Sequence, residues 1–182
     1  CSEKLALAAF FVNGWNNAGG KTLGLQAALK PHAALSIVQN VMAGPEQADD
    51  SGRFLSDTIV TWTVTPSLSL MANYDYGRVR LAGDTVSWSG VAAYARLQVT
   101  NGWALASRFV RLHDRDGFMT GTQQTVKELT LTSEYKAGGA LLARLEYRRD
   151  FSDQPYFLRG EDKVRSQNTV TVGLVYGFAF NP

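Results

Sequence analysis

One cysteine, two histidines and the want of any long apolar run set the first limits on this 182-residue chain. The cysteine is Cys1, so no intrachain disulfide can form. His32 and His113 show no metal-ligand spacing with it or with each other. The longest apolar run, Leu5–Val12, falls far short of the ~20 residues a spanning helix needs. Acidic and basic residues nearly balance, 16 against 18. Opposite signs are also interleaved, as in Arg144, Glu146, Arg148 and Asp150, whereas a nucleic-acid binder would concentrate a basic face. There is no phosphate-cradling glycine loop and no nucleophile elbow. The chain opens on Cys1-Ser2 without an initiator Met, so a processed or truncated polypeptide is expected. Cys1 then reads either as the acylated first residue of a lipoprotein or as a boundary or labelling residue.

What is present is a repeat. Pairs of short alternating segments are joined by a polar connection, and each pair is followed by a tight turn. The tight turns fall at 30–32, 65–67, 100–102 and 136–139, and the long connections at 16–21, 44–53, 78–85, 113–123 and 150–166. Within the segments, side chains split by a period of two. Val170, Val172, Leu174, Tyr176 and Phe178 share one face, opposite Thr169, Thr171, Gly173 and Gly177. Leu129, Leu131 and Tyr135 oppose Glu128, Thr130, Thr132 and Glu134, and Leu70, Ala72, Tyr74 and Tyr76 oppose Ser69, Asn73 and Asp75. Residues 140–149 carry good helix formers, yet their alternation reads as a strand. About ten strands fit, and a tilted membrane strand needs ~9–11 residues. The fold expected is all-β: a single domain over 1–182 forming an antiparallel, up-and-down transmembrane β-barrel, complete or the later part of a larger one. Strict alternation of short and long connections gives such a barrel a short-turn rim and a long-loop rim.

Alternation alone fits a soluble barrel too. Two features favour lipid outside. Bulky aromatics sit on the apolar face towards strand ends, with Trp62, Trp103 and Tyr135 beside short turns and Trp15, Tyr76 and Tyr147 approaching long loops; Tyr176 joins this girdle. The polar face mixes Gly and Ala with Arg and Glu, as a crowded lumen does. The bulk composition, 45% hydrophobic and 19% charged, is silent on the point, because half of each barrel strand is polar.

Several motifs in series carry a family resemblance: Asn13-Gly14-Trp15-Asn16-Asn17, Gly44-Pro45-Glu46-Gln47, the run 70–77 (LMANYDYG) and the run 90–96 (GVAAYAR). Asp114-Arg115-Asp116-Gly117-Phe118, Leu145-Glu146-Tyr147-Arg148 and the closing run 172–178 (VGLVYGF) add to it. Together they resemble the OmpL-like outer-membrane β-barrel porins over nearly the whole chain. The resemblance implies a Gram-negative outer-membrane location and passive diffusion of small hydrophilic solutes. It also implies further strands ahead of the Asn-Gly-Trp segment, and the ending Phe180-Asn181-Pro182 departs from the family's close on an aromatic residue.

The expected lumen charges are Lys30, Asp57, Asp75, Arg96, Arg108, Glu128, Glu134, Arg144, Glu146, Arg148 and Asp150. Either they pair into a salt-bridged plug or they line water and bias ion passage. Arg96, Arg108, Arg144 and Arg148 are expected to form a basic strip facing Glu128, Glu134 and Glu146. A rim-mounted hydrolase built on His113, Asp114 and Asp116 is the weak enzymatic alternative, and Asp114 to Gly117 has only a passing likeness to a calcium loop. No catalytic residue, cofactor or metal is assigned. The expected partners are the bilayer with its lipopolysaccharide, small polar solutes or ions, and no nucleic acid. Loop acids Glu46, Asp49, Asp50, Glu161 and Asp162 could meet divalent ions at that surface. Two functions stay open: a porin-like channel, or a non-conducting structural barrel that anchors a partner or forms homo-oligomers or a larger envelope assembly.

Overall fold

A computed structural model describes residues 4–14, 20–46 and 51–178. Ten strands form one antiparallel sheet whose spatial order is the chain order: β1 (Leu5–Val12), β2 (Thr22–His32), β3 (Leu35–Pro45), β4 (Gly52–Thr65), β5 (Leu68–Leu81), β6 (Asp84–Gln98), β7 (Trp103–Asp114), β8 (Gln124–Ala137), β9 (Leu141–Ser152) and β12 (Ser166–Tyr176). A small hairpin, β10 (Phe157–Arg159) with β11 (Asp162–Val164), stands in the connection between β9 and β12. This is the up-and-down barrel topology expected, and the segment with helix propensity is strand β9. Among the described residues β1 and β12 each pair on one side only.

The polar face is the inside of the curve. Along β8, Glu128 and Thr130 are 9% and 3% exposed, while their neighbours Leu129 and Leu131 are 38% and 50% exposed. A flat sheet would expose both faces alike; bending crowds one and opens the other. The open face is apolar, so its favourable surroundings are hydrocarbon rather than water. Polar groups on that face satisfy one another: Gln39 donates to the Ser56 Oγ at 3.0 Å and accepts from the Thr58 Oγ1 at 2.6 Å.

Two connections differ from the sequence reading. The span 78–85 is not a long loop. β5 and β6 run on to a two-residue turn, Ala82-Gly83, with both residues at positive φ (48° and 95°) as a tight hairpin requires. Its polar residues Arg78, Arg80, Asp84 and Thr85 are strand positions above the apolar band, where polarity marks water rather than a loop. The turn expected at 30–32 lies at 33–34 instead; β2 carries Pro31 within it, and the pairing with β3 shifts between Leu29 and His32. Proline cannot donate to a ladder, and a register shift accommodates it.

Candidate functional site

Sequence period places the inner-face groups and register assembles them. On β2 to β5 they form an amide and carboxylate chain. Gln26 donates to the Asn40 Oδ1 at 2.8 Å, Asn40 donates to the Asp57 Oδ2 at 2.7 Å, and Asn73 donates to the other Asp57 oxygen. Asp75 stands directly across the β4–β5 ladder from Asp57 and beside Gly90, where even a Cβ would lie 3.8 Å from the Asp75 side chain. Like charges directly opposite repel, and the Asn donors on Asp57 offset part of that cost. The sequence marked Asp57 and Asp75 but did not single out Gln26, Asn40 or Asn73. Their shared inner parity was the available signal.

On β6 to β9 the charges interdigitate rather than face one another across a gap. Glu134 accepts from the Arg144 Nε at 2.8 Å and Nη2 at 2.5 Å, and from the Arg96 Nη2 at 3.2 Å. Glu128 accepts from the Arg108 Nη2 at 2.6 Å, the Arg148 Nη2 at 3.1 Å and the Thr130 hydroxyl at 2.7 Å. Arg148 also donates to Asp150 at 2.9 Å, Gln167 donates to the same carboxylate, and Glu146 accepts from Thr132 at 3.0 Å. The expected separate basic strip is thus corrected to a mixed ladder: β6, β7 and β9 supply arginines into a register that sets an acid beside each. Depth still separates the signs. The four arginine side chains are 36–51% exposed, while those of Glu128 and Glu134 are 11% and that of Asp150 is 3%. The carboxylates lie at the wall and the guanidinium groups stand over them towards the interior. Lys30 has inner parity and sits exposed near the short-turn end of β2.

Towards the long-loop end the inner face carries a cluster of aromatic rings. Trp88 is buried on the inner face and packs over Gly77, where a Cβ would overlap the indole. Phe118, from residues 115–123 between β7 and β8, stacks on Trp88 at 5.1 Å, and the Arg53 guanidinium lies 4.9 Å from the Trp88 ring and 5.3 Å from the Phe118 ring. Asp114 anchors that segment by accepting from the Met119 and Thr120 N–H groups at 2.9 and 2.7 Å. Asp116 accepts from the Ser87 N–H at 2.7 Å, and His113 points to the opposite face, 3.1 Å from the Thr125 hydroxyl. The trio considered for a hydrolase is therefore not brought together; each member holds local structure.

The aromatic residues of the expected girdle lie on the outer face. Trp62, Trp103, Tyr135 and Tyr176 are exposed near the short-turn ends, and the Trp103 Nε1 donates to the Ser133 Oγ at 3.0 Å. Tyr76 and Tyr147 lie on the same face nearer the long loops. Trp15, Cys1, Asp49 and Asp50 are outside the described residues.

Residues 1–178 match the family described as "Putative beta-barrel porin-2, OmpL-like". The chain belongs to that family. A solved structure of the NanC porin, in a rhombohedral crystal form, superposes with a TM-score of 0.59, covering 96% of this chain and 93% of that one at 13% identity. At that identity the likeness speaks for the fold. No curated protein matches the chain. This is an outer-membrane β-barrel of the porin type, from a Gram-negative envelope.

Proposed function

We propose that the barrel is a passive channel for small hydrophilic solutes that favours anionic ones. The observation that carries this is the layering of charge on β6 to β9. Each of the four arginine side chains on this inner face stays partly exposed while the carboxylates it pairs with are largely covered. A passing carboxylate or phosphate meets donors first, and charge-assisted hydrogen bonds of this kind are the stronger ones. Several such sites in series favour entry without deep trapping, which conduction requires. The Arg53–Trp88–Phe118 cluster partly fills the interior near the long-loop mouth.

The test is single-channel conductance of the refolded chain in a planar bilayer. Stable unitary steps with a reversal potential on the anion side support the channel. A protein that folds, shown by heat-modifiable migration, yet conducts nothing would instead favour the structural barrel. The aromatic positions support lipid contact through fluorescence: brominated lipid should quench Trp62 and Trp103 and spare Trp88.

A further inference from the structure

The outer face carries charge of one sign only. Every described Asp or Glu in the ten strands of the sheet has inner parity, and no acid faces outward from them. The outward-facing Arg and Lys side chains of those strands are Arg78, Arg80, Arg111, Lys127 and Arg149, all towards the long-loop ends. A cation on the lipid face costs about 2–4 kcal/mol at mid-membrane and about 0–1 near the interface, so these five mark one interface. For four of them an aromatic or apolar side chain stands two residues nearer mid-membrane, as in Tyr76 and Arg78, Phe109 and Arg111, Tyr147 and Arg149.

Three of them converge. Arg111 stands directly opposite Lys127 on the β7–β8 ladder, and Arg149 stands opposite Leu129, diagonal to Lys127. Opposed residues have Cβ atoms about 5 Å apart and diagonal ones roughly 7–8 Å, so three cations share one patch. Like charges opposite one another destabilise a sheet. Among the described residues no ion pair to any of the three is present. The acid beyond them, Asp153, accepts from the Thr125 N–H at 3.0 Å, one outward row nearer the loops. Lys127 lies 5.7 Å from the Phe151 ring, a contact that leaves its charge in place.

We infer that Arg111, Lys127 and Arg149 form a binding site for the phosphates of lipopolysaccharide. The inference rests on the outer-membrane placement, in which the long-loop rim lies in the outer leaflet. A phosphorylated glycolipid fits both halves of the surface: its phosphate neutralises the triad and its acyl chains lie on Phe109, Leu129 and Tyr147. The site is separate from the inner-face arginines, which already hold carboxylates.

The experiment is native mass spectrometry of the refolded chain released from micelles containing bisphosphorylated lipid A, enzymatically dephosphorylated lipid A or phosphatidylglycerol. Wild type should retain lipid A at least tenfold better than the dephosphorylated form. The Arg111→Gln, Lys127→Gln, Arg149→Gln triple variant should lose that preference, and Arg111→Lys with Arg149→Lys should keep it. Equal retention of both lipid A forms by wild type, or an unchanged preference in the triple variant, overturns the site. One-for-one displacement by phosphatidylglycerol overturns the lipopolysaccharide assignment. Heat-modifiable migration and vesicle insertion are scored on the same samples. A chain that inserts without discriminating overturns the site alone, whereas one that never inserts overturns the membrane placement as well.

Discussion

Replacing Glu128 and Glu134 together by glutamine removes two negative charges from the inner wall while leaving an acceptor oxygen for Arg96, Arg108, Arg144 and Arg148. Ten strands ~4.8 Å apart and tilted ~40° close to a backbone radius of about 10 Å, which leaves carboxylates roughly 8 Å from the axis. Each acts on a monovalent ion there with about 0.5 kcal/mol in water. Screening at 0.1 M salt, with a Debye length of about 10 Å, leaves roughly half of that. Losing both therefore favours anions and disfavours cations by about 0.5 kcal/mol each, about fivefold in the permeability ratio. Across a tenfold salt gradient, starting from a modest anion preference, that moves the reversal potential by about 30 mV further towards the anion value. The assay is reversal potential in a planar bilayer, with heat-modifiable migration confirming that the variant folds. A shift below about 10 mV, or one towards cations, would refute the claim that these carboxylates offset the arginine field. The single glutamine variants should each give about half the effect, since the two acids sit in different pairs.

Three further outcomes follow from the geometry. Gly77→Ala should lower stability by about 1–3 kcal/mol in urea titration, because Trp88 is held by Phe118 and Arg53 and cannot yield, whereas Gly90→Ala should change little. Phe118→Ala removes an aromatic pair worth about 0.5–1.5 kcal/mol, so residues 115–123 should be cleaved faster by protease and the mean conductance should rise. In hydrocarbon an unpaired strand edge costs several kcal/mol per group. Outward-edge amides of β1 and β12 should therefore exchange slowly in membrane vesicles, and fast exchange along either edge would show that the wall is not closed there.

Much of the wall was legible because a strand's period is exact in sequence. Glu128 to Tyr135 alternates with only Ser133 out of step, and register then follows from short turns such as 66–67 and 138–140. Partnership was less legible. Arg96 reaches Glu134 across two ladders and 38 positions of sequence, a contact that depends on stagger between strands rather than on period. The separate basic strip failed for that reason: parity shows that two residues share a face, but only register shows that they touch. Strand ends were misplaced where composition misled, as at Arg78 to Thr85. Polar residues above the apolar band resemble a loop, yet their backbone still pairs. Phe118, quoted only within a loop motif, was not placed in the interior, because residues 115–123 fold inward through Asp114 and no periodic signal covers a loop.

The run Tyr147-Arg148-Arg149-Asp150 shows how one rule yields two chemistries. Arg148 turns inward, where Glu128 and Asp150 hold it in a water-facing ladder. Arg149, one residue on, turns outward beside Leu129 and the β12 residue Asn168, where no strand acid is found. Composition counts both as equal positive charge, and the near-zero net charge of the chain hides the difference. The sorting is sharp because a misplaced acid would cost different things on the two faces. Inside, a carboxylate finds a guanidinium and water; outside, in the same row as Arg149, it would face lipid phosphates of its own sign. An outer face with cations at one rim and no acids therefore implies an anionic neighbour at that rim, just as a mixed inner face implies neighbours of both signs.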